Sequence, residues 1–472
     1  MKPREIVPGI SVLAISVLFL MVNTAASRQP IILHELQVDG QNKQASLETY
    51  LESKNRHFPD GELIADVNFL MKNLIENHPQ LYGYTAEDSF KKEWERTLKE
   101  IDHNLTLEAY FKVVAPLVEK VNCSHTGIRL PVLYLQAAFE HGNYLPLELV
   151  CMDHKAYYIS SYGGKNWDII PGSEIHSINE VPISEIIGQM LSLIPSEGGC
   201  LTTKYNEINR NFHTYFYLLD NSEAFEVEFL SPNANRKIKF PPCSYQDVTL
   251  HNAKEEPILP VEFISDKNND VGMIRVSSFN IRDMEGYMKL LDQLFLEFQA
   301  NKPSHLIIDL RDNTGGHPIF AAQLLSYLTT REFTYFKRNH EVEDFEPLYN
   351  PMQSNPLHYE GNLFVLVNGG CLSTTGHLIS LLKYHTNAKF VGEEPGSSYY
   401  CNDFGMQVTL PNSGLEVNIP RTTFETAVSG FKKGEPFPVD YYVENSVTDI
   451  IKGTDCYLSR VYKLIDEERS MP

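Results

Sequence analysis

The chain has 472 residues, 61 of them acidic against 40 basic, and a formal charge of -21. That balance repels phosphate backbones and anionic bilayer surfaces, so nucleic acid is excluded as a partner class, and no basic cluster marks a membrane-binding face. Hydrophobic residues at 42% and charged residues at 21% exclude a disordered or fibrous chain, and the length asks for about two to four domains.

The N-terminus reads Met1-Lys2-Pro3-Arg4, then an apolar run from Ile10 to Val22, then Thr24-Ala25-Ala26. Charge, length and small residues are those of a secretory signal peptide, residues 1–26, with cleavage expected after Ala26. The run is shorter than the ~20 residues a spanning helix needs, so export without a lasting membrane span is expected, in a periplasmic or secreted location, with an uncleaved membrane anchor as the alternative. Seven cysteines (Cys123, Cys151, Cys200, Cys243, Cys371, Cys401 and Cys456) show no CxxC spacing. They therefore predict no metal site, and the odd count leaves at least one thiol free or paired between chains.

Leu63, Val67, Leu70, Met71 and Leu74 recur at helical spacing until Asn77-His78-Pro79, where proline ends the pattern. Phe90, Trp94, Leu98 and Ile101 form a second stripe, and Phe111, Val114, Leu117, Val118 and Val121 a third. Residues 30–130 are read as an N-terminal helical domain. The sequon Asn104-Leu105-Thr106 within it is a glycosylation site only in a host that glycosylates.

Past Leu130-Pro131 the texture becomes short β-rich runs such as Tyr157-Tyr158-Ile159, broken by Gly163-Gly164 and Pro171-Gly172. Residues 140–262 are read as a β-rich module with connecting strands. Its turn at Pro171-Gly172, short strand to Asn179 and helix-like stretch from Ile183 to Ile194 resemble the ligand-groove region of PDZ domains.

The third module, residues 263–465, alternates strand and helix. Val271 to Val276 reads as a strand, Met284 to Phe298 as an amphipathic helix, and Leu306 to Leu310 as a strand buried on both faces. Helix Ile319 to Leu328, strand Leu363 to Val367, helix Thr375 to Tyr384 and strand Phe390-Val391 follow, predicting a layered α/β sheet with connected parallel strands.

Two turns in this module can carry chemistry. Asp309-Leu310-Arg311-Asp312-Asn313-Thr314-Gly315-Gly316 joins a buried strand to a helix, and its glycines let backbone N–H groups approach a substrate. Asn368-Gly369-Gly370-Cys371-Leu372-Ser373-Thr374-Thr375-Gly376 repeats that placement and puts a serine hydroxyl at a helix N-terminus, where negative charge is favoured. Together they can supply a nucleophile, Ser373, and oxyanion donors. Each turn alone has a plainer reading, since a serine at a strand-to-helix junction is commonly just an N-cap.

In order and over roughly residues 60–460, these turns, the Val391-Gly392-Glu393-Glu394 strand end and the Pro171 to Asn179 segment resemble the tail-specific, or C-terminal-processing, serine protease family. That family includes the tricorn core protease and the retinoid-binding repeats of interphotoreceptor proteins. The resemblance implies a ClpP/crotonase-like α/β catalytic domain beside the helical domain and the PDZ-like module, a polypeptide substrate and no cofactor. His176 and His317 flank turns without companions at metal-ligand spacing, so no metal is expected.

The bacterial processing branch of the family uses a lysine base downstream of the serine. The corresponding position here is Ser398, and the nearest lysines are Lys383 and Lys389. The tricorn-like branch takes a histidine from a Ser-His-Thr sequence, which Ser124-His125-Thr126 matches. The resemblance therefore implies His125 as general base, oriented by Ser124, with the amides of Gly315, Gly316 and Thr374 around the oxyanion. On residue type alone, His125 reads first as a packed or capping histidine, and Ser124 has a plain structural hydroxyl as its alternative. That branch also uses a late glutamate, which has no clear counterpart here; Glu425 and Glu435 are the candidates by proximity. A silent scaffold that binds peptide or an apolar ligand is the alternative to an endopeptidase acting on substrate C-termini or extended segments.

Overall fold

The structure is a computed structural model that describes residues 47–231, 235–252, 261–266, 270–339 and 342–470. The expected signal peptide lies outside these residues. The chain forms two compact units, one holding described residues of 257–401 and 423–470, the other those of 28–256 and 402–422.

In the first unit, one sheet runs in the order Val261–Asp266, Val271–Val276, His305–Asp309, Asn362–Val367, Lys389–Gly392, Tyr441–Tyr442. The outermost pair is antiparallel and the remaining neighbours are parallel. The strands are apolar without alternation because both faces are covered. Leu306, Ile308, Val365 and Val367 enter one core with helices Met284–Asn301, Pro318–Ser326 and Thr374–His385. Ile307, Phe364 and Leu366 enter a second core with Tyr457, Val461, Leu464 and Ile465 of helix Cys456–Arg469. Asp283 starts the first of these helices, its carboxylate accepting the Gly286 N–H at 2.9 Å.

Asp309 ends the central strand almost fully buried, and two arginines meet it: Arg311 at 2.8 Å and Arg275 at 3.2 Å. Arg311 also reaches Asp455, the N-cap of the C-terminal helix, at 2.8 Å. Burial pushes the Asp309 carboxyl upward, but the guanidiniums outweigh it and hold the group below its ordinary range.

In the second unit, helices Asp60–Asn77, Glu87–Glu100 and Leu107–Glu119 turn the three predicted stripes to the core, with Trp94 and Leu98 of the second only partly buried. An antiparallel sheet runs in the order Leu147–Met152, Lys155–Ser161, Glu174–Ile178, Phe225–Phe229, Arg236–Phe240. A smaller sheet joins Gly127–Arg129 to Glu416–Ile419 and Met406–Thr409. One hydrophobic core runs through the helices and both sheets of this unit. The stretch 402–422, expected within residues 263–465, therefore folds with this unit.

The β-rich texture expected past Pro131 is interrupted. Pro131 opens helix Val132–His141, and Leu201–Leu219 is a helix of 19 residues. Pro131 occupies the N-cap, where a missing N–H costs nothing. Leu201–Leu219 is rich in Tyr, Phe, Thr and Asn, poor helix formers, and is held by burial of Ile208, Phe212, Tyr215 and Phe216. Among the described residues no helix is long and apolar enough to cross a membrane.

The Asp309 network sets the first expectation. Asp309→Ala leaves two arginines facing a buried gap and should lower the stability of this unit by about 3–5 kcal/mol in denaturant unfolding. Retained stability would show that solvent already screens the pair.

Candidate active site

Ser373 follows strand Asn362–Val367 and immediately precedes helix Thr374–His385. Its backbone is left-handed, at φ 52° and ψ -124°, and its side chain makes no capping hydrogen bond. The N-cap reading of this serine is therefore set aside. A non-glycine residue in this region stores about 1–3 kcal/mol of strain, which persists only where neighbours hold it.

Several neighbours do. The Ser373 N–H donates to Ser397 Oγ at 3.0 Å, and the Leu372 N–H to the Asn313 carbonyl at 3.1 Å. Ser397 comes this close because position 376 is glycine: a Cβ there would stand 2.5 Å from the Ser397 carbonyl carbon. The two turns are also tied reciprocally. The Asp312 N–H donates to Asn368 Oδ1 at 2.9 Å, and Asn368 Nδ2 to Asp312 Oδ1 at 3.0 Å.

Gly315, at φ +101°, lies against the serine; a Cβ on it would stand 2.8 Å from Ser373 Cβ and 3.0 Å from the Thr374 nitrogen. The Gly315 N–H, expected among the oxyanion donors, instead donates to Asn313 Oδ1 at 2.9 Å. Gly315 thus supplies space where an amide was expected. Thr374 N–H begins the helix, among the donors that have no intrahelical partner. The Thr374 hydroxyl donates to the Gly316 carbonyl, tying the two remaining expected donors together.

The Ser-His-Thr segment belongs to the second unit and is anchored at each residue. Thr126 is buried, its hydroxyl 3.0 Å from His78 Nε2. His78 Nδ1 accepts the Gln80 N–H at 3.1 Å, so the helix stop at Asn77-His78-Pro79 also fixes this loop. The His125 carbonyl accepts from Asn418 Nδ2 at 2.7 Å. Its ring is mostly buried, with Nδ1 3.2 Å from Ser124 Oγ and Nε2 3.7 Å from a carboxylate oxygen of Asp403. Ser124 Oγ in turn donates to Glu197 Oε2 at 3.1 Å.

Glu197 is a residue that sequence reading passed over. It sits in the turn Glu197–Gly199, where Gly198 and Gly199 reverse the chain at positive φ. Burial raises its carboxyl above the ordinary range, while His125, Tyr84 and Ser124 pull it back.

The sequence profile of peptidase family S41 matches residues 270–432, which contain both turns. Residues 270–432 thus form a peptidase family S41 segment. The chain is a serine-type peptidase. The fold of this S41 peptidase is similar to the crystal structure of mature CPAF, with TM-score 0.64 and 14% identity over 86% of this chain and 97% of that one. Mature CPAF complexed with lactacystin gives TM-score 0.62, also at 14% identity, over 86% and 98%. No curated protein sequence matches it.

Other candidates in the S41 peptidase are committed elsewhere. Lys383 pairs with Asp440 at 2.6 Å and Lys389 with Glu468. Glu425 pairs with Lys337 and accepts from Asn339, and Glu435 pairs with Lys432 at the surface. Seven cysteines are free thiols. Among the described residues no group of three His, Cys, Asp or Glu could hold a metal ion.

Gly315→Ala tests the turn. The added methyl must displace Ser373 or Thr374, so turnover of a peptide substrate should fall by about 10²-fold or more with the protein still folded. Unchanged turnover would mean the turn tolerates the shift.

Proposed function

We propose that this S41 peptidase is an exported endopeptidase in which Ser373 is the nucleophile and His125 the general base. The observation that carries the proposal is the left-handed Ser373 at a helix N-terminus, its hydroxyl unused as a cap and its backbone held by Ser397 and Asn313. Serines so placed present Oγ away from the sheet, with the following amide at the positive end of the helix.

Ser373 Oγ attacks the scissile carbonyl carbon as His125 Nε2 takes its proton. The C–N bond then breaks, and the imidazolium returns the proton to the leaving amine, leaving an acyl ester on Ser373. Water, deprotonated by the same nitrogen, hydrolyses the ester. The oxyanion is bound by the amides of Gly316 and Thr374, with Gly315 keeping the space between clear. Ser124, hydrogen-bonded to Nδ1, orients the ring.

We assign substrate capture to the sheet spanning Leu147 to Phe240, acting in a PDZ-like manner. One edge strand is closed: Asn209 Oδ1 accepts from the Cys151 N–H at 2.6 Å, and its Nδ2 donates to the Cys151 carbonyl at 3.1 Å. The other edge, Arg236–Phe240, pairs among the described residues only with Phe225–Phe229, which leaves its outer side for an extended peptide. Export is supported by the N-terminal charge and apolar run.

A fluorophosphonate probe checks the chemistry. Wild type should label at Ser373, mapped by peptide sequencing, and Ser373→Ala and His125→Ala should each lower labelling by about 10⁴-fold. Labelling that survives His125→Ala would remove this histidine as base. Absence of labelling in folded wild type would favour a binding protein on the same scaffold.

A further inference from the structure

We propose that Glu197 is the positioning carboxylate of this peptidase, holding His125 through the Ser124 hydroxyl in the tautomer that leaves Nε2 able to accept the Ser373 proton. The inference rests on the reading of Ser373 and His125 given above.

The Ser124 hydroxyl has one proton. Directed at Glu197 Oε2, 3.1 Å away, it leaves an oxygen lone pair facing His125 Nδ1 at 3.2 Å. A carboxylate can only accept, so the hydroxyl must donate to it and the ring must donate to the hydroxyl. Nδ1 then carries the hydrogen and Nε2 the lone pair, as a base acting at Nε2 requires. The Ser124 N–H also donates to Oε2, at 3.2 Å, which fixes that oxygen beside the hydroxyl.

The glutamate turn is locked to the histidine loop by main-chain contacts. The Gly198 N–H donates to the Asn122 carbonyl at 2.9 Å, and Asn122 itself takes a left-handed φ of 54°. Asn122 Nδ2 holds Thr85 Oγ1 at 2.8 Å, and the Cys200 N–H returns to the Glu197 carbonyl at 3.1 Å. Glu197 is 9% exposed and forms no ion pair with lysine or arginine among the described residues; its cationic influence is His125. A glutamate buried without such a partner is costly and rare unless its charge is used. Asp403, the other carboxylate at the ring, faces Nε2 and so cannot supply the Nδ1 contact.

The test reads the imidazole nitrogens of His125 by ¹⁵N NMR, with the resonance assigned through its loss in His125→Ala, alongside kcat and KM on a peptide substrate. Wild type should show the Nδ1–H form. Glu197→Gln and Ser124→Ala should each shift the ring toward Nε2–H and lower kcat by about 10²-fold or more with KM little changed, the mark of a misoriented base. Asp403→Asn should leave the Nδ1–H form in place. Ser124→Ala breaks the relay while leaving Glu197 in the chain with its bond from the residue-124 N–H, so it decides the matter if Glu197→Gln fails to fold. An unchanged tautomer and kcat in folded Ser124→Ala or Glu197→Gln, with labelling at Ser373 still dependent on His125, would overturn the role of Glu197 alone. Loss of the Nδ1–H form in Asp403→Asn would overturn the role of Glu197, since the tautomer would then not be set through Ser124. Wild type that carries the Nδ1–H form but never labels at Ser373 would overturn the underlying reading of the nucleophile.

Discussion

A serine in left-handed backbone is the constraint around which the S41 unit is arranged. L-residues avoid that region, so the conformation at Ser373 survives only because surrounding groups make the relaxed alternative worse. Ser397 accepts its N–H, Asn313 accepts the N–H of Leu372 before it, and the Thr374 hydroxyl after it is taken by Gly316. Gly315 and Gly376 are needed for the same reason: a Cβ at either position would occupy the space that lets these groups close in. Asn313 does double duty, since its side chain also accepts the Gly315 N–H and donates to the Val276 carbonyl at 2.9 Å.

Those turns need a rigid base, and the doubly covered sheet supplies it. Strands His305–Asp309 and Asn362–Val367 lie side by side, so the turns leaving them are neighbours from the outset. The reciprocal Asp312–Asn368 bonds then remove the remaining freedom between them. Charge is treated differently in the two units. Asp309 is neutralised by two guanidiniums, a structural solution that fixes the strand end. Glu197 pairs with no lysine or arginine among the described residues; burial raises its carboxyl and His125 pulls it back.

Much of the S41 unit could be read from residue pattern, because burial on both faces writes itself as unbroken apolar runs such as Leu306-Ile307-Ile308 and Leu363 to Val367. Parts of the glycine-rich turns were legible for a related reason, as only glycine fits at positions 315, 316 and 376. Helix Leu201–Leu219 was not, because its residues prefer strands locally and its stability comes from packing that has no sequence signature. Ser397 and Glu197 were hidden by distance along the chain. Nothing near Ser397 in sequence says that Gly376 brings it against Ser373, although Gly198-Gly199 beside Glu197 was a usable sign of a sharp turn. The Gly315 amide was misassigned because a side chain two residues away, Asn313, reaches it first.

The energetics of Glu197 explain why such a residue would be kept. A buried carboxylate beside a lysine or arginine is stable but electrostatically spent, since the cation already screens it. A buried carboxylate whose counterpart is a neutral imidazole lowers stability while the ring is neutral and gains its partner when a proton arrives at Nε2. The raised carboxyl of Glu197 records that cost. Its hydrogen bonds to the Ser124 N–H and hydroxyl hold it in place meanwhile, so the stabilising field is present before the proton moves and needs no rearrangement when it does. In the S41 unit the strain at Ser373 follows the same logic: folding energy from a well-packed sheet sustains a local conformation that is useful because it is unfavourable elsewhere.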